Sequence, residues 1–294
     1  MVSGNFQLEH LSHEQVEAYL KSHQTNAASL LAAWHAAGGL DYLKRAAELF
    51  PDDPRVQVAV LNMNLFPEQQ REWLDRLKQS DPENPMGNYL SARDYLHSGN
   101  PEQALKELKD ATGKSKYNDY TLARLQDTEE MYMQAGHSAA EAKAIAGSSI
   151  TLPQVTQLRD LGRQLATLQQ NYLAAGDQSG AEQLARMGDS LSRDMGGERA
   201  GAGVLINQLA GMAVEKSLLK GLPPDSEPEF LGVSVQQRLA QIEELKMQSR
   251  TLVPLLDQML LRGNEAEIIG YFDRMKMYGE LRALKWLADR PPGN

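Results

Sequence analysis

Six histidines, three pairs of adjacent carboxylates and one glycine-rich stretch are the parts of this chain whose residue types could carry chemistry. His10 and His13 stand three apart with Glu9, Glu14, Glu17 and His23 close by, a composition that suits a metal ion. Ser12 between them is a helix N-cap by type, so the two rings fall on either side of a helix start and are not expected on one face. Glu14 is followed by Gln15, Val16 and Glu17, so the HExxH pattern is missing. His35, beside Trp34, reads as a packed or surface ring rather than a catalyst. Asp52-Asp53, Glu129-Glu130 and Glu243-Glu244 are sequence neighbours. Neighbours on a helix point about 100° apart, so solvated faces are expected rather than acid–base pairs. The run Gly196-Gly197-Glu198-Arg199-Ala200-Gly201-Ala202-Gly203 lacks the preceding strand and the Gly-Lys-Ser/Thr ending of a phosphate loop, and is expected to be a flexible connection between helices. No catalytic residue, metal ligand or cofactor is assigned.

The composition narrows the chemistry further. Cysteine is absent, which removes thiolate nucleophiles, disulfides, iron–sulfur clusters and sulfur-ligated zinc. The 294 residues hold 30 basic and 39 acidic side chains, for a net charge of −9, and such a surface repels phosphates. Nucleic acid and anionic membranes are therefore not expected partners. Hydrophobic residues at 41% and charged ones at 23% are the composition of a folded globular chain, long enough for one or two domains. Met1-Val2-Ser3-Gly4-Asn5 has neither a basic nor an apolar leader region, so no signal peptide is expected in it. The most apolar stretch, Val204 to Val214, is too short to span a bilayer, which takes roughly 20 apolar residues. The lack of thiols and the polar start favour a bacterial, extracytoplasmic setting, either periplasmic or anchored through a removed segment.

Apolar residues recur at three- and four-residue spacing along almost the whole chain, and almost nowhere with period two, which predicts an all-α protein of about a dozen helices. Ser12 with Gln15 and Ser138 with Glu141 have the spacing of capping boxes. Pro67, Pro85 and Pro101 stand at first helical positions, with Asn84 and Asn100 as caps before two of them. Glycines at 38–39, 99, 136, 176 and 263 read as helix stops.

These stops repeat. Gly99-Asn100-Pro101 with Ala104, Gly136-His137 with Ala140, and Gly176-Asp177 with Ala181 are copies of one hinge, 37 and 40 residues apart, and Gly263-Asn264 with Ala266 is a weaker one. A hairpin of helices recurring at that period predicts an α-solenoid. The chain at this point resembles the tetratricopeptide family. In the best copy, Pro85 to about Lys116, Asn88 stands at the family's tryptophan, Ala92 at the small packing position and Tyr95 at the tyrosine. Ala104, Leu108 and Ala111 occupy the second-helix sites. Tyr172, Gly176-Asp177, Ala181 and Ala185 are in register in a second copy over Gly162 to Asp194, and Tyr132 precedes Gly136 in a third. Pro51 and Pro82 resemble the repeat-closing proline. The resemblance covers about residues 26–196, with spacings of 31 to 40 where the family has 34, so the pitch of the superhelix stays open.

Residues 1–25 are expected to form an N-terminal helix, 197–222 an apolar packing helix, 223–233 an acidic proline-rich loop, and 234–294 a pair of long helices, about Ser234–Arg262 and Asn264–Asp289, that caps the solenoid. Pro254 is expected to kink the first of that pair. From Arg238 to Arg290 there are nine basic and eight acidic residues, so the acidity lies upstream. The methionines Met131, Met133, Met247, Met259, Met275 and Met277 read as core gap-fillers, with some free to line an adaptable surface.

The resemblance implies that the first helix of each hairpin lines a concave groove. This places Tyr89, Arg93 and His97 there in one repeat, Gln126, Glu130 and Met133 in the next, and Arg163, Ala166 and Gln170 in the one after. Tyr89 and Arg93 stand where the family's carboxylate clamp has other residues, so chaperone-tail binding is not expected. The leading expectation is a noncatalytic scaffold that holds a protein or peptide of basic or neutral character. A helical cell-envelope hydrolase, or a subunit of one, is the alternative and calls for converging carboxylates in a deep pocket. A homo-oligomeric assembly element, dimerising through the carboxyl-terminal helices, is a third.

Overall fold

The computed structural model describes residues 10–196 and 203–290, and among these every regular element is a helix. In chain order the helices are α1 (His13–Ser22), α2 (Ala27–Ala37), α3 (Asp41–Leu49), α4 (Pro54–Met63), α5 (Gln70–Ser80), α6 (Met86–His97), α7 (Pro101–Thr112) and α8 (Thr121–Gln134). They continue with α9 (Ala139–Ser148), α10 (Pro153–Ala174), α11 (Gln178–Met195), α12 (Leu205–Leu219), α13 (Val235–Arg262), α14 (Glu265–Tyr278) and α15 (Glu280–Ala288). No helix among the described residues is long and apolar enough to cross a membrane. The glycine-rich stretch falls largely on 197–202, outside the described residues, as does Glu9.

Local sequence sets most helix ends. Ser12 accepts from the Gln15 amide while the Gln15 side chain accepts from the Ser12 amide, and Ser138 and Glu141 do the same. Asn26 and Ser29 form a third such box. Asn84 accepts from the Met86 amide at 3.1 Å. Asn100 departs from expectation: its amide group turns back to Ser98, and no side chain caps α7.

The three hinges close identically. Asn100, His137 and Asp177 each donate a backbone N–H to the carbonyl of the tyrosine five positions earlier, Tyr95, Tyr132 and Tyr172, at 2.8, 3.2 and 2.9 Å. The glycine between donates three residues back, to Leu96, Met133 and Leu173. These are the two bonds of a Schellman motif, whose C′ residue needs a left-handed backbone; φ is +74°, +102° and +79° at Gly99, Gly136 and Gly176. Gly263 closes by a single bond to Met259 at 3.3 Å, the simpler left-handed stop, which is why its sequence copy is weaker.

The carboxyl-terminal pair needs correcting. The first long helix is a single element, Val235–Arg262, with Pro254 inside it. The second is broken at Gly279, with φ +86°, into α14 and α15. At the break Glu280 donates its amide to the Gly203 carbonyl at 2.9 Å, and its carboxylate accepts the Leu205 amide at 2.7 Å. One residue thus both starts α15 and satisfies an end amide of α12.

The chain forms two compact units built from interleaved segments. The first takes the described part of Met1–Pro82, with Asn118–Pro153 and Leu255–Lys276. Its centre is α2, which packs against α1, α3, α4 and α8. Leu30, Leu31, Ala32, Ala33 and Ala36 are all buried, as suits a helix that is apolar on most sides. The second unit takes Glu83–Tyr117, Gln154–Pro254 and the described part of Met277–Asn294. There α6 pairs with α7, α7 touches α11, and α11 pairs with α12. Glycine makes the last contact close: a Cβ at Gly211 would lie 2.7 Å from the Ser192 carbonyl oxygen, and one at Gly188 would lie 2.0 Å from Leu218. Ala92, Ala104, Leu108 and Ala111 are fully buried where α6 packs on α7, and Ala181 and Ala185 are buried on α11.

Candidate functional site

The predicted groove residues separate by direction and by unit. Tyr89, Arg93 and His97 follow at four-residue steps on α6. Each step of four overshoots a full turn by about 40°, so the stripe rotates along the helix. Tyr89 therefore points inward and is fully buried, its hydroxyl donating to Asp194 Oδ2 at 2.5 Å, and it does not line an open face. Arg93 is half-buried and His97 exposed.

Arg93 and His97 meet α10. Asp160 Oδ2 accepts from Arg93 Nε at 2.8 Å and lies 2.7 Å from His97 Nε2, while Oδ1 accepts from Arg163 Nη2 at 3.1 Å. Gln164, one turn further, reaches the same Oδ2 at 3.2 Å. Arg93, His97 and Arg163, all expected in the groove, thus converge on one carboxylate outside that expectation. Burial pushes the Asp160 carboxyl up, but hydrogen bonds from His97, Arg93 and Arg163 outweigh it and hold it at about 2. The Arg163 side chain remains 75% exposed and that of His97 52%, so the cluster has groups left to offer a partner. Two guanidinium groups thus share one carboxylate. Gln170, farther along α10, is exposed, and Ala166 is half-buried.

Gln126, Glu130 and Met133 lie on α8, in the first unit. Gln126 donates to Glu130 at 2.8 Å and accepts from Lys276 at 2.6 Å. Glu130 and Met133 are exposed.

Glu129, expected on a solvated face, is instead buried. Its two oxygens accept from Lys143 at 2.5 Å and Lys276 at 2.7 Å, and Lys143 also holds Asp273 at 2.6 Å. The signal that sequence reasoning missed is lysine on otherwise apolar helix faces: Lys143 lies between Ala142 and Ala144, both buried. Glu243, by contrast, is about half exposed and pairs with Lys216 and Lys246.

The histidines go to different partners. His10 Nδ1 contacts the Ala36 carbonyl, His13 contacts the Tyr42 hydroxyl, and His23 stacks on Tyr19 and reaches Gln134. His35 is packed against Trp34, and burial followed by repulsion from Arg124 lowers it to about 3. Of the methionines, Met131, Met259 and Met275 are in the interior, whereas Met133, Met247 and Met277 are exposed.

Two further buried acids, Asp189 and Glu215, lie on α11 and α12. Glu215 is held by Arg238 at 2.5 and 3.1 Å and by Ser192 at 3.1 Å. Asp189 is pushed up to about 6 by burial; Arg193 and Arg238 pull it down and Glu215 pushes it up. No protein-family model, curated protein or solved structure matches the chain.

Proposed function

We propose that the chain is a noncatalytic interaction protein, a divergent tetratricopeptide-like scaffold whose α6–α10 face takes an acidic side chain of a protein partner. The observation that carries this reading is the convergence of Arg93, His97 and Arg163 on Asp160, with the outer groups open to solvent. The three matching hinges, and the packing of α6 with α7 and of α8 with α9 across two of them, support the repeat reading. Asp160 fixes the two arginines in place, which lowers the entropy lost when a second carboxylate arrives. The net charge of −9 selects against acidic partners at long range, so the acidic contact is a local feature of an otherwise neutral or basic partner.

The test is fluorescence anisotropy with labelled peptides carrying one glutamate in a neutral or basic context, at low ionic strength. Arg163→Glu is expected to weaken binding roughly three- to tenfold while the circular dichroism spectrum stays unchanged. Equal binding by wild type, Arg163→Glu and folded Arg93→Glu rules the assignment out.

A further inference from the structure

Charge and space come together at another place in the second unit. Between α7, α11 and Phe230 lies a cleft of about 660 Å³, inside the roughly 300–1,000 Å³ range of small-molecule sites. One stripe of α11 supplies its wall, with Arg186, Asp189 and Arg193 spaced three and four apart. Asp189 is its deep polar group, with a side chain only 6% exposed. Arg193 Nε lies 3.0 Å from Asp189 Oδ2, and Arg193 Nη2 donates to the Phe230 carbonyl at 3.0 Å, so the guanidinium braces the carboxylate against the loop. Asp189 Oδ1 is buried and has no hydrogen-bond partner among the described residues. Such an oxygen is costly to leave unmet and seeks a donor. Lys109, from α7, and Arg186 stand exposed on the rim, and half-buried Met187 and Phe230 provide apolar surface in the same lining.

An acceptor in the floor, cations at the rim and apolar surface beside them complement a small zwitterion with an apolar body. We propose that this cleft binds a free di- or tripeptide, with the ligand's ammonium on Asp189 and its carboxylate on Lys109 and Arg186. The volume favours a molecule longer than one amino acid, whose two ends can reach floor and rim together. The amino terminus of a protein partner shares the ammonium but brings no carboxylate at that distance, so blocked peptides separate the two sources.

The experiment is isothermal titration calorimetry of the full chain at pH 7.5 with Ala-Phe and Ala-Ala-Phe, each also in N-acetylated and C-amidated form. The free peptides are expected to bind. Acetylation is expected to weaken binding at least tenfold, and amidation about three- to tenfold. Lys109→Gln with Arg186→Gln, both exposed and remote from the core, is expected to lower affinity for the free peptides to that of the amidated ones. Asp189→Asn is expected to match the loss caused by acetylation. Absence of binding by either free peptide up to about 10 mM overturns the proposal. So does equal binding of free and acetylated forms, or an unchanged affinity in the rim variant. Loss on acetylation with none on amidation assigns the cleft to a protein amino terminus and equally overturns it.

Discussion

Tyr89 and Asp194 are 105 positions apart in sequence and share a 2.5 Å hydrogen bond in the interior, hydroxyl to carboxylate, tying α6 to α11. Tyr89→Phe keeps the ring and removes a donor from a carboxylate that is fully buried. The expected loss is about 1–3 kcal/mol, since the remaining acceptor keeps its desolvation penalty. Urea unfolding checks it: the midpoint should fall with the slope unchanged. An unchanged midpoint would mean that water or another donor takes over the site.

The Glu129 network gives a larger effect. Lys143→Met takes one of two cations from the buried Glu129 carboxylate, and about 3 kcal/mol of destabilisation is expected, the low end for a broken buried pair because Lys276 stays. Adding Glu129→Gln should restore part of it, because the buried carboxylate that Lys276 alone is left to hold disappears. A double-mutant cycle with purely additive losses would contradict that coupling.

Acid should weaken the fold in two windows. His35 is held neutral, at about 3 against 6.5 when unfolded, so the unfolded chain takes up the proton first as pH falls. Its contribution is complete above about 6.5 and drains away towards 3, with a slope up to about 1.4 kcal/mol per pH unit. His35→Phe should flatten that part of the stability profile. Asp160, at about 2 against 3.8, acts in the same direction at lower pH: its contribution is present above about 3.8 and lost towards 2, and Asp160→Asn should remove it. Denaturant midpoints measured from pH 7 to 2 distinguish the windows.

Glycine-to-alanine changes on α11 and α12 should have the opposite sign from usual. In an exposed helix the change adds about 1 kcal/mol of stability. At Gly211 the new methyl meets the Ser192 carbonyl, a backbone atom that cannot rotate away, so a loss of about 1–3 kcal/mol is expected. A thermal scan in which Gly211→Ala melts higher than wild type would refute the close approach.

Much of this was legible in the chain, because helix ends are local events. Ser12, Ser138 and the Gly99, Gly136 and Gly176 hinges act within six residues of themselves, and their chemistry is written in the same window. The direction of a side chain along a stripe is not local. Tyr89 and His97 share a spacing rule yet end in opposite environments, since the rotation of the stripe matters only once a neighbour helix is in place. Within the α6–α10 cluster only Arg163 is local to Asp160; for Arg93 and His97 the carboxylate lies on another helix, 63 residues downstream of His97. Nothing near Glu129 in sequence points to its burial, because its partner Lys276 is 147 residues away. The Gly279 break was hidden for a similar reason: the residues before and after it are good helix formers, and only Gly203 and Leu205 reveal what Glu280 is for.

The interleaving of the two units bears on synthesis. The first unit includes Leu255–Lys276, so the ribosome must deliver nearly the whole chain before that unit has all its parts. Until then α8 carries Glu129 without the second of its lysines, and the nascent amino-terminal helices wait while the intervening segments of the second unit emerge. Neither unit can be released as one uninterrupted stretch of polypeptide by a truncation at either end, and a premature stop anywhere before residue 255 deprives both of them at once.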